Sequence, residues 1–475
     1  MIVASFLGFL ALFLGVGLAS AFRAKKSRTD YYLAGSEVPP WLAALSAVAT
    51  NNSGYMFIGV IGFTYATGLA AFWLMFGWIL GDFVASLFIH RKLREATERT
   101  HEASFAAVLA RWWEDQEFIV WRRIAAIIMV VFLGAYAAAQ ISAGGKALQG
   151  VLDWNPKTGA VVVAAMILAY SAAGGIRASI WTDAIQSFVM LAAMSVLFVV
   201  GVMGLGGVDG AITQMAAVPN FLDWFPKDLV LPGLSGMALF VIGWMFAGLS
   251  VIGQPHVMVR FMSLDSPDNM VRTRMWYYGY FTLFYVLATS VGMLSRIYLP
   301  ELGDLDPELA LPTMARELLP DVFVGMILAG IFAATMSTAD SLVLSCSAAI
   351  THDLMPERQE KTWKLKMATA LVTVLALLIA ITETRSVFSL VILAWSTLAS
   401  AFAPLLIIYA MRRHIPEAGA IAALVIGISV ALLWRYFGLH NDVYEGMPGI
   451  LSGLAVAWVF SKSRSATANA KELSR

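Results

Sequence analysis

The sequence predicts an all-α integral membrane protein. About 13 transmembrane helices form a five-plus-five inverted repeat with extra helices at both ends. Three observations predict this. Of 475 residues, 59% are apolar and 13% are charged, about half the roughly 25% charged content of soluble domains. The mean hydropathy is +0.75, which places the chain in the membrane class. Basic residues crowd alternate loops, as membrane topology requires. Finally, two apolar runs five spans apart contain residues that interrupt helices, a pairing expected of inverted halves.

A helix needs about 20 apolar residues to cross the hydrocarbon. Thirteen runs serve as spans: 1–22, 41–66, 68–91, 124–149, 158–174, 179–204, 233–253, 274–298, 322–350, 367–383, 386–410, 417–436 and the shorter 447–461. They divide into a first helix (1–22), a first repeat (41–204), an inverted second repeat (233–410), two C-terminal helices (417–461) and a cytoplasmic tail (462–475). Residues 1–22 could pass for a signal peptide. However, no positive charge precedes the apolar run, and Arg23, Lys25, Lys26 and Arg28 follow it. A secretory signal has the reverse order, so a retained span with its N-terminus outside is expected.

That orientation places all but seven of the 32 Lys and Arg residues at cytoplasmic loops or the tail. The positive-inside bias supports an odd span count and a cytoplasmic C-terminus in a bacterial-type inner membrane. Loops 206–232 and 299–320 leave no room for a soluble domain. Residues 92–122 read as a cytoplasmic amphipathic helix along the membrane face or as a solvated loop helix. The net charge of +1 implies no nucleic acid, and no obligatory protein partner is evident beyond membrane lipid. The single cysteine, Cys346, forms no internal disulfide.

Within span two, VATNNSGYMFIG (48–59) sets Thr50, Asn51, Asn52, Ser53 and Gly54 in a row. These residues compete for backbone bonds or lower helix propensity. Breaks inside a membrane are tolerated only where protein or a cavity surrounds them. Span seven, ALFVIGWMFAGLSVIGQPHVMVRF (238–261), crowds Gly243, Gly248, Ser250, Gly253 and Pro255, and Pro255 lacks a backbone donor. The odd offset of five spans makes the second unit enter from the opposite side. Paired breaks of this kind indicate a central binding site. The alternative is two packing kinks, for which Gly and Ser suffice.

Span nine contains AGIFAATMSTADSLVLSCSAAI (329–350). Ser337, Ser341 and Ser345 recur every four residues and share a face, flanked by Thr338 and Asp340. Hydroxyls beside a carboxylate suit a small hard cation. They can also bond back to their own helix, but a carboxylate at this depth is costly and usually functional. Asp183 opens span six, as a helix cap or as part of a cation site. Tyr136 and Gln140 stack on one face of span four, lining a cavity or bonding between helices; Ser142 and Lys146 follow. Trp244 and Phe246 fit packing before a solute platform. His256 and Arg260 are expected in a cytoplasmic loop or gate. No phosphate loop, His/Cys metal cluster or activated nucleophile appears, so no enzyme is expected, and an ion gradient is the natural energy source.

Four stretches carry a family resemblance: SAVATNNSGYMFIG (46–59), SAAGGIRASIWTDAIQSF (171–188), GQPHVMVRFM (253–262) and AATMSTADSLVLSCSAAITHDL (333–354). The chain resembles the sodium:solute symporter family, in particular its bacterial sodium/proline branch. The resemblance implies a leucine-transporter-like fold, sodium as coupling ion and no organic cofactor. It implies a main sodium site at Ala49, Asn52, Ala334, Ser337 and Thr338, and a possible second at Asp183, Asp340 and Ser341. It implies a solute beside the first break, near Ser53, Gly54, Tyr55 and Tyr136. With the polar positions above, the candidate solute contacts are Asn51, Ser53, Gly54, Tyr55, Tyr136, Gln140, Trp244, Ala247 and Gln254.

The sequence departs from the proline carriers at three points. Asn51 stands where they have an aspartate, while Asp340 adds a charge where they usually have a serine. Ala247 and Val251 replace an aromatic pair, and Tyr55 replaces a tryptophan. The leading expectation is a sodium-coupled importer of an amino acid such as proline, or a related zwitterion or carboxylate. A transporter-like solute sensor with a separate signalling partner is the alternative, because the tail is too short for a signalling domain. A passive channel fits poorly with a buried Asp340.

Overall fold

The computed structural model describes residues 1–21, 32–113, 116–300, 306–354, 362–382 and 386–463. The basic cluster Arg23–Arg28 and most of the tail lie outside them. Every predicted span is built of helix over its described residues, apart from the Ser53 break and a few end residues. Among the described residues, eight helices are long and apolar enough to cross a membrane; one of them, Pro40–Thr100, carries spans two and three. Four shorter apolar helices, Ile2–Gly17, Pro156–Leu168, Met367–Thr382 and Gly446–Phe460, complete the thirteen. Among the described residues the strands are two-residue pieces, Arg413–His414 paired antiparallel with Lys462–Ser463.

Glycines in otherwise forbidden backbone regions make the turns between adjacent spans. Gly68 has φ 64°, and a Cβ there would lie 2.2 Å from the Phe221 carbonyl oxygen. Gly175, at φ 63° and ψ −169°, divides the long Pro156–Gly204 helix into spans five and six. An L side chain is disfavoured in these conformations, which glycine adopts freely.

Both expected interruptions exist. In span two the Pro40–Gly54 helix carries one non-helical residue, Ser53, at φ 47° and ψ 179°. A π-helical turn, Tyr55–Val60, and the Ile61–Thr67 helix follow it. In span seven the Gly233–Leu249 helix tightens into a 3₁₀ turn at Ser250–Gly253. Gln254 is then extended (φ −101°, ψ 98°), and Pro255 starts a new helix to Met262, where its missing donor does no harm.

Spans three and seven pack through small residues. A Cβ on Gly81 would sit 1.9 Å from the Met245 carbonyl oxygen, and one on Gly248 would sit 2.0 Å from that of Trp78. Close backbone approach of this kind drives helix association in lipid. Gly81→Val is therefore expected to separate the pair and to remove most of the monodisperse, detergent-extracted protein, read by size-exclusion fluorescence. The Gly134→Ala control, with open space around its Cβ, leaves the yield unchanged. Spans nine and eleven form the centre: 83% and 89% of their most apolar windows are buried, against 33% for Glu417–Tyr436.

Residues 92–122 differ from both sequence expectations. The Phe72–Thr100 helix continues through their first part and ends at His101 in the left-handed region. Ser104 then caps a short helix, Phe105–Ala110, in which all six residues are buried. Phe105 packs edge-on against Phe402, and Trp112 stacks on Tyr409 with centroids 5.1 Å apart. The apolar face that suggested membrane adsorption is used inside the protein.

Candidate ion and solute site

The break in span two arises because Ser53 leaves the helix and its neighbours find other partners. Gly54 N–H donates to Gln140 Oε1 at 2.8 Å. Ser53 Oγ accepts from Tyr55 N–H and from the Tyr136 hydroxyl, each at 3.1 Å. Gln140 of span four thus serves a backbone group at the break, and Tyr136 holds the Ser53 side chain. A Cβ on Gly54 would lie 2.6 Å from a Thr335 methyl, so spans two, four and nine meet here at close range.

Ala49, Ala334, Ser337 and Thr338 also come together. Ser337 Oγ lies 3.3 Å from the Ala49 carbonyl oxygen and 3.2 Å from that of Ala334. Thr338 Oγ1 donates to the Thr50 carbonyl at 2.9 Å. The hydroxyls therefore bond across to the first break as well as back along their own helix. All these groups are buried and offer oxygen atoms only, a donor set suited to a hard monovalent cation. Asn52 is buried with neither side-chain polar atom partnered, and its carbonyl receives Tyr55 N–H.

Asp183 and Ser341 meet around Arg260. Its guanidinium lies 3.4 Å from Asp183 Oδ2 and donates to Ser341 Oγ, to Ser179 Oγ at 3.0 Å and to Ser46 Oγ at 3.2 Å. Ser46 in turn donates to Asp183 Oδ2 at 2.6 Å. A fixed positive charge thus stands among the residues grouped as a second ion site. Asp183 lies well past the Gly175 interruption, and its partner is Arg260 rather than a helix end. Of the loop or gate position expected for His256 and Arg260, the loop is corrected: both are buried in the core. The short helix after the second break turns them inward.

An aromatic shell closes the centre. Tyr55 lies between Phe388 (5.3 Å) and Trp78 (5.6 Å). Tyr136 meets His256 edge-on at 5.3 Å and Trp395 at 6.3 Å. Trp395 ties down the second break, donating to the Ala247 carbonyl at 2.9 Å and accepting from Gln254 Nε2 at 2.8 Å. Trp244 adjoins this shell through Phe63, which stacks on Phe388. It lines a cavity of about 270 Å³ with Phe63, Phe388 and Tyr444, and the Tyr444 hydroxyl reaches Ser250 at 2.9 Å. Asn51 donates from its Nδ2 to the Tyr277 hydroxyl at 2.6 Å, and its Oδ1 is buried without a partner.

The sequence reading missed Trp395, Phe388 and Tyr444. Each is an aromatic residue in or beside an apolar run, without a distinguishing local signal. It also missed Asp82, a lone carboxylate inside span three, which carried the same signal as Asp340.

The profile of the sodium:solute symporter family matches residues 31–427. The chain belongs to this family. Among similar members, the "High-affinity proline transporter PutP" of Bacillus subtilis is 28% identical over 445 residues, covering 91% of this chain and 92% of the relative. The "Sodium/proline symporter" of Salmonella typhimurium is 29% identical over 458 residues, covering 93% and 89%. A solved sodium-coupled sialic acid symporter superposes with a TM-score of 0.80 at 20% identity, over 98% of this chain and 99% of that one. MhsT, solved with L-phenylalanine, gives 0.54 at 16% identity, over 91% and 97%. These neighbours establish the leucine-transporter-like fold. The chain is thus a multi-pass membrane symporter of a sodium-coupled family, and not an enzyme.

Proposed function

We propose that this symporter imports a small amino-acid-like zwitterion or carboxylate with sodium, by alternating access. The observation that carries the reading is a concentration of unpartnered buried polar atoms at the two breaks: Asn51 Oδ1, the Asn52 amide, the Tyr55 hydroxyl, Gln140 Nε2, Gln254 Oε1 and both His256 nitrogens. Protein interiors leave few such groups, so their convergence favours a polar ligand. Sodium at Ala49, Asn52, Ala334, Ser337 and Thr338 ties the first repeat to span nine of the second. In this reading it favours the outward-open form, and the solute at Ser53, Gly54, Tyr55, Tyr136 and Gln140 then favours closure. Arg260 supplies a tethered cation in place of a second sodium.

The relatives' names support proline or a similar amino acid as the class, while Ala247 and Val251 give this pocket a different wall. The sensor alternative finds no support in the comparisons. The N-terminus lies outside and the C-terminus in the cytoplasm of a bacterial-type plasma membrane, on the loop-charge argument. A thermal-shift screen of amino acids and small carboxylates, with sodium and with potassium, tests the reading. A true substrate raises Tm only with sodium present, through linkage. If no solute shows sodium-dependent stabilisation, or stabilisation is equal in potassium, the proposal fails.

A further inference from the structure

Asp82 lies within the Phe72–Thr100 helix and is fully buried. Its Oδ2 accepts the Tyr277 hydroxyl at 2.9 Å, and its Oδ1 accepts the Tyr278 hydroxyl at 3.0 Å. The Tyr277 oxygen itself accepts Asn51 Nδ2 at 2.6 Å. A chain of three side chains thus joins a carboxylate in span three to the first break.

Among the described residues no cation pairs with Asp82. From the Met270–Tyr298 helix, Arg274, Tyr277 and Tyr278 face this region, and Arg274 donates to the Ser86 carbonyl instead. The Gly233–Leu249 helix carries no titratable side chain. The Pro255–Met262 helix brings His256 and Arg260, and Arg260 is held by Asp183. Asp268 is paired with Arg91, and Tyr409 of span eleven with Gln116. On its own helix, Asp82, Ser86, His90 and Arg94 recur every four residues on one face. All four are buried, and neither His90 nitrogen has a partner. A polar column therefore runs along an apolar span from Asp82 toward Arg94. A buried intramembrane carboxylate without a counter-charge is a functional position by default. Two hydroxyl donors do not cancel its charge, whereas a proton does.

We infer that Asp82 is a proton-binding site that sets, through Tyr277, which end of the Asn51 amide faces the first break. With Asp82 ionised, both tyrosines donate to it. The Tyr277 oxygen then accepts from Asn51, and Asn51 presents Oδ1, which is buried without a partner. A proton arriving from water on Asp82 Oδ2 makes that oxygen a donor to Tyr277. The Tyr277 hydrogen turns to Asn51, whose amide rotates to give Oδ1 to the tyrosine and its NH₂ to the break. One O–H bond forms at Asp82 and the other hydrogens only reorient; release of the proton to water reverses the sequence. Next to the Asn52 ion position, an acceptor has become a donor. Its effect on sodium rests on the proposed sodium site, whereas the proton site itself does not.

Infrared pH titration of the purified protein in nanodiscs tests the proton site directly, and sodium titration by thermal shift tests its consequence. The wild-type minus Asp82→Asn difference spectrum should contain a buried carboxylic-acid band that titrates with pH, which separates Asp82 from the buried Asp183 and Asp340. Tyr277→Phe should keep the band. Wild-type sodium affinity should fall about tenfold as Asp82 takes its proton, within the usual range of coupling between sites. Asp82→Asn should fix the weak affinity at every pH, because its amide donates to Tyr277 permanently. Tyr277→Phe, which cuts the chain and keeps the carboxylate, should make sodium affinity independent of pH. A wild-type minus Asp82→Asn difference spectrum without a titrating carboxylic-acid band, or a wild-type pH dependence that survives in Tyr277→Phe, overturns the inference. If sodium does not stabilise wild type at any pH, the sodium site falls, and the infrared comparison still decides Asp82.

Discussion

Ser337→Ala combined with Thr338→Ala is expected to abolish sodium-dependent stabilisation while leaving a folded protein in the membrane. The two hydroxyls are the side-chain oxygens of span nine that meet the Ala49 and Thr50 carbonyls. Removing them leaves a cation with backbone oxygens alone. Contacts to charged groups are worth about 1.5–3 kcal/mol each, so the pair should cost about 3–6 kcal/mol, roughly 100-fold or more in sodium affinity. Folding should suffer less, because both side chains shrink without stranding a charge. Sodium titration by thermal shift, with size-exclusion profiles as the folding control, checks the result. An unchanged sodium midpoint in the double variant would remove these residues from the ion site.

Arg260→Ala should produce the largest loss of stability in the core. Arg260 and Asp183 are 1% and 0% exposed at the side chain, and the guanidinium also serves Ser46, Ser179 and Ser341. Breaking a buried pair from one side typically costs about 3–5 kcal/mol, because the remaining charge is uncompensated. The second replacement, Asp183→Asn, removes that charge. The double variant should therefore regain much of the lost thermal stability, read as Tm in detergent with sodium held constant. If Arg260→Ala alone is as stable as wild type, or the double variant is no better than the single, the bridge does not hold the two repeats together.

Much of the fold was legible because the bilayer imposes its rules residue by residue. A span must be long and apolar, an interruption must be paid for by polar neighbours, and basic residues must crowd one side. Gly68, Gly175, Ser53 and Gln254 all act through local backbone preference, so their effects follow from the sequence around them. The candidate ion residues were legible for a related reason. Ser337 and Ser341 share a helical face, and the Thr50–Gly54 run stands out against apolar flanks. Residues 92–122 were misread because amphipathicity reveals an apolar face without saying what covers it. Trp112 and Phe105 turn inward to Tyr409 and Phe402, about 300 residues further along the chain.

Asn51 shows the same division at a single residue. The sequence identified it as a position without the charge its relatives carry, and looked to Asp340 for compensation. Folding brings Asn51 to Tyr277, and through it to Asp82. The sequence by itself determined the membrane class, the thirteen helices, the paired interruptions and the family, because each depends on composition, periodicity or a short motif. Only the tertiary structure decided that Arg260 enters the core between Asp183 and Ser341, that Trp395 closes the second break, and that Asp82 reaches the first. Those contacts join helices far apart in the chain, and one-dimensional spacing does not encode which buried faces will meet.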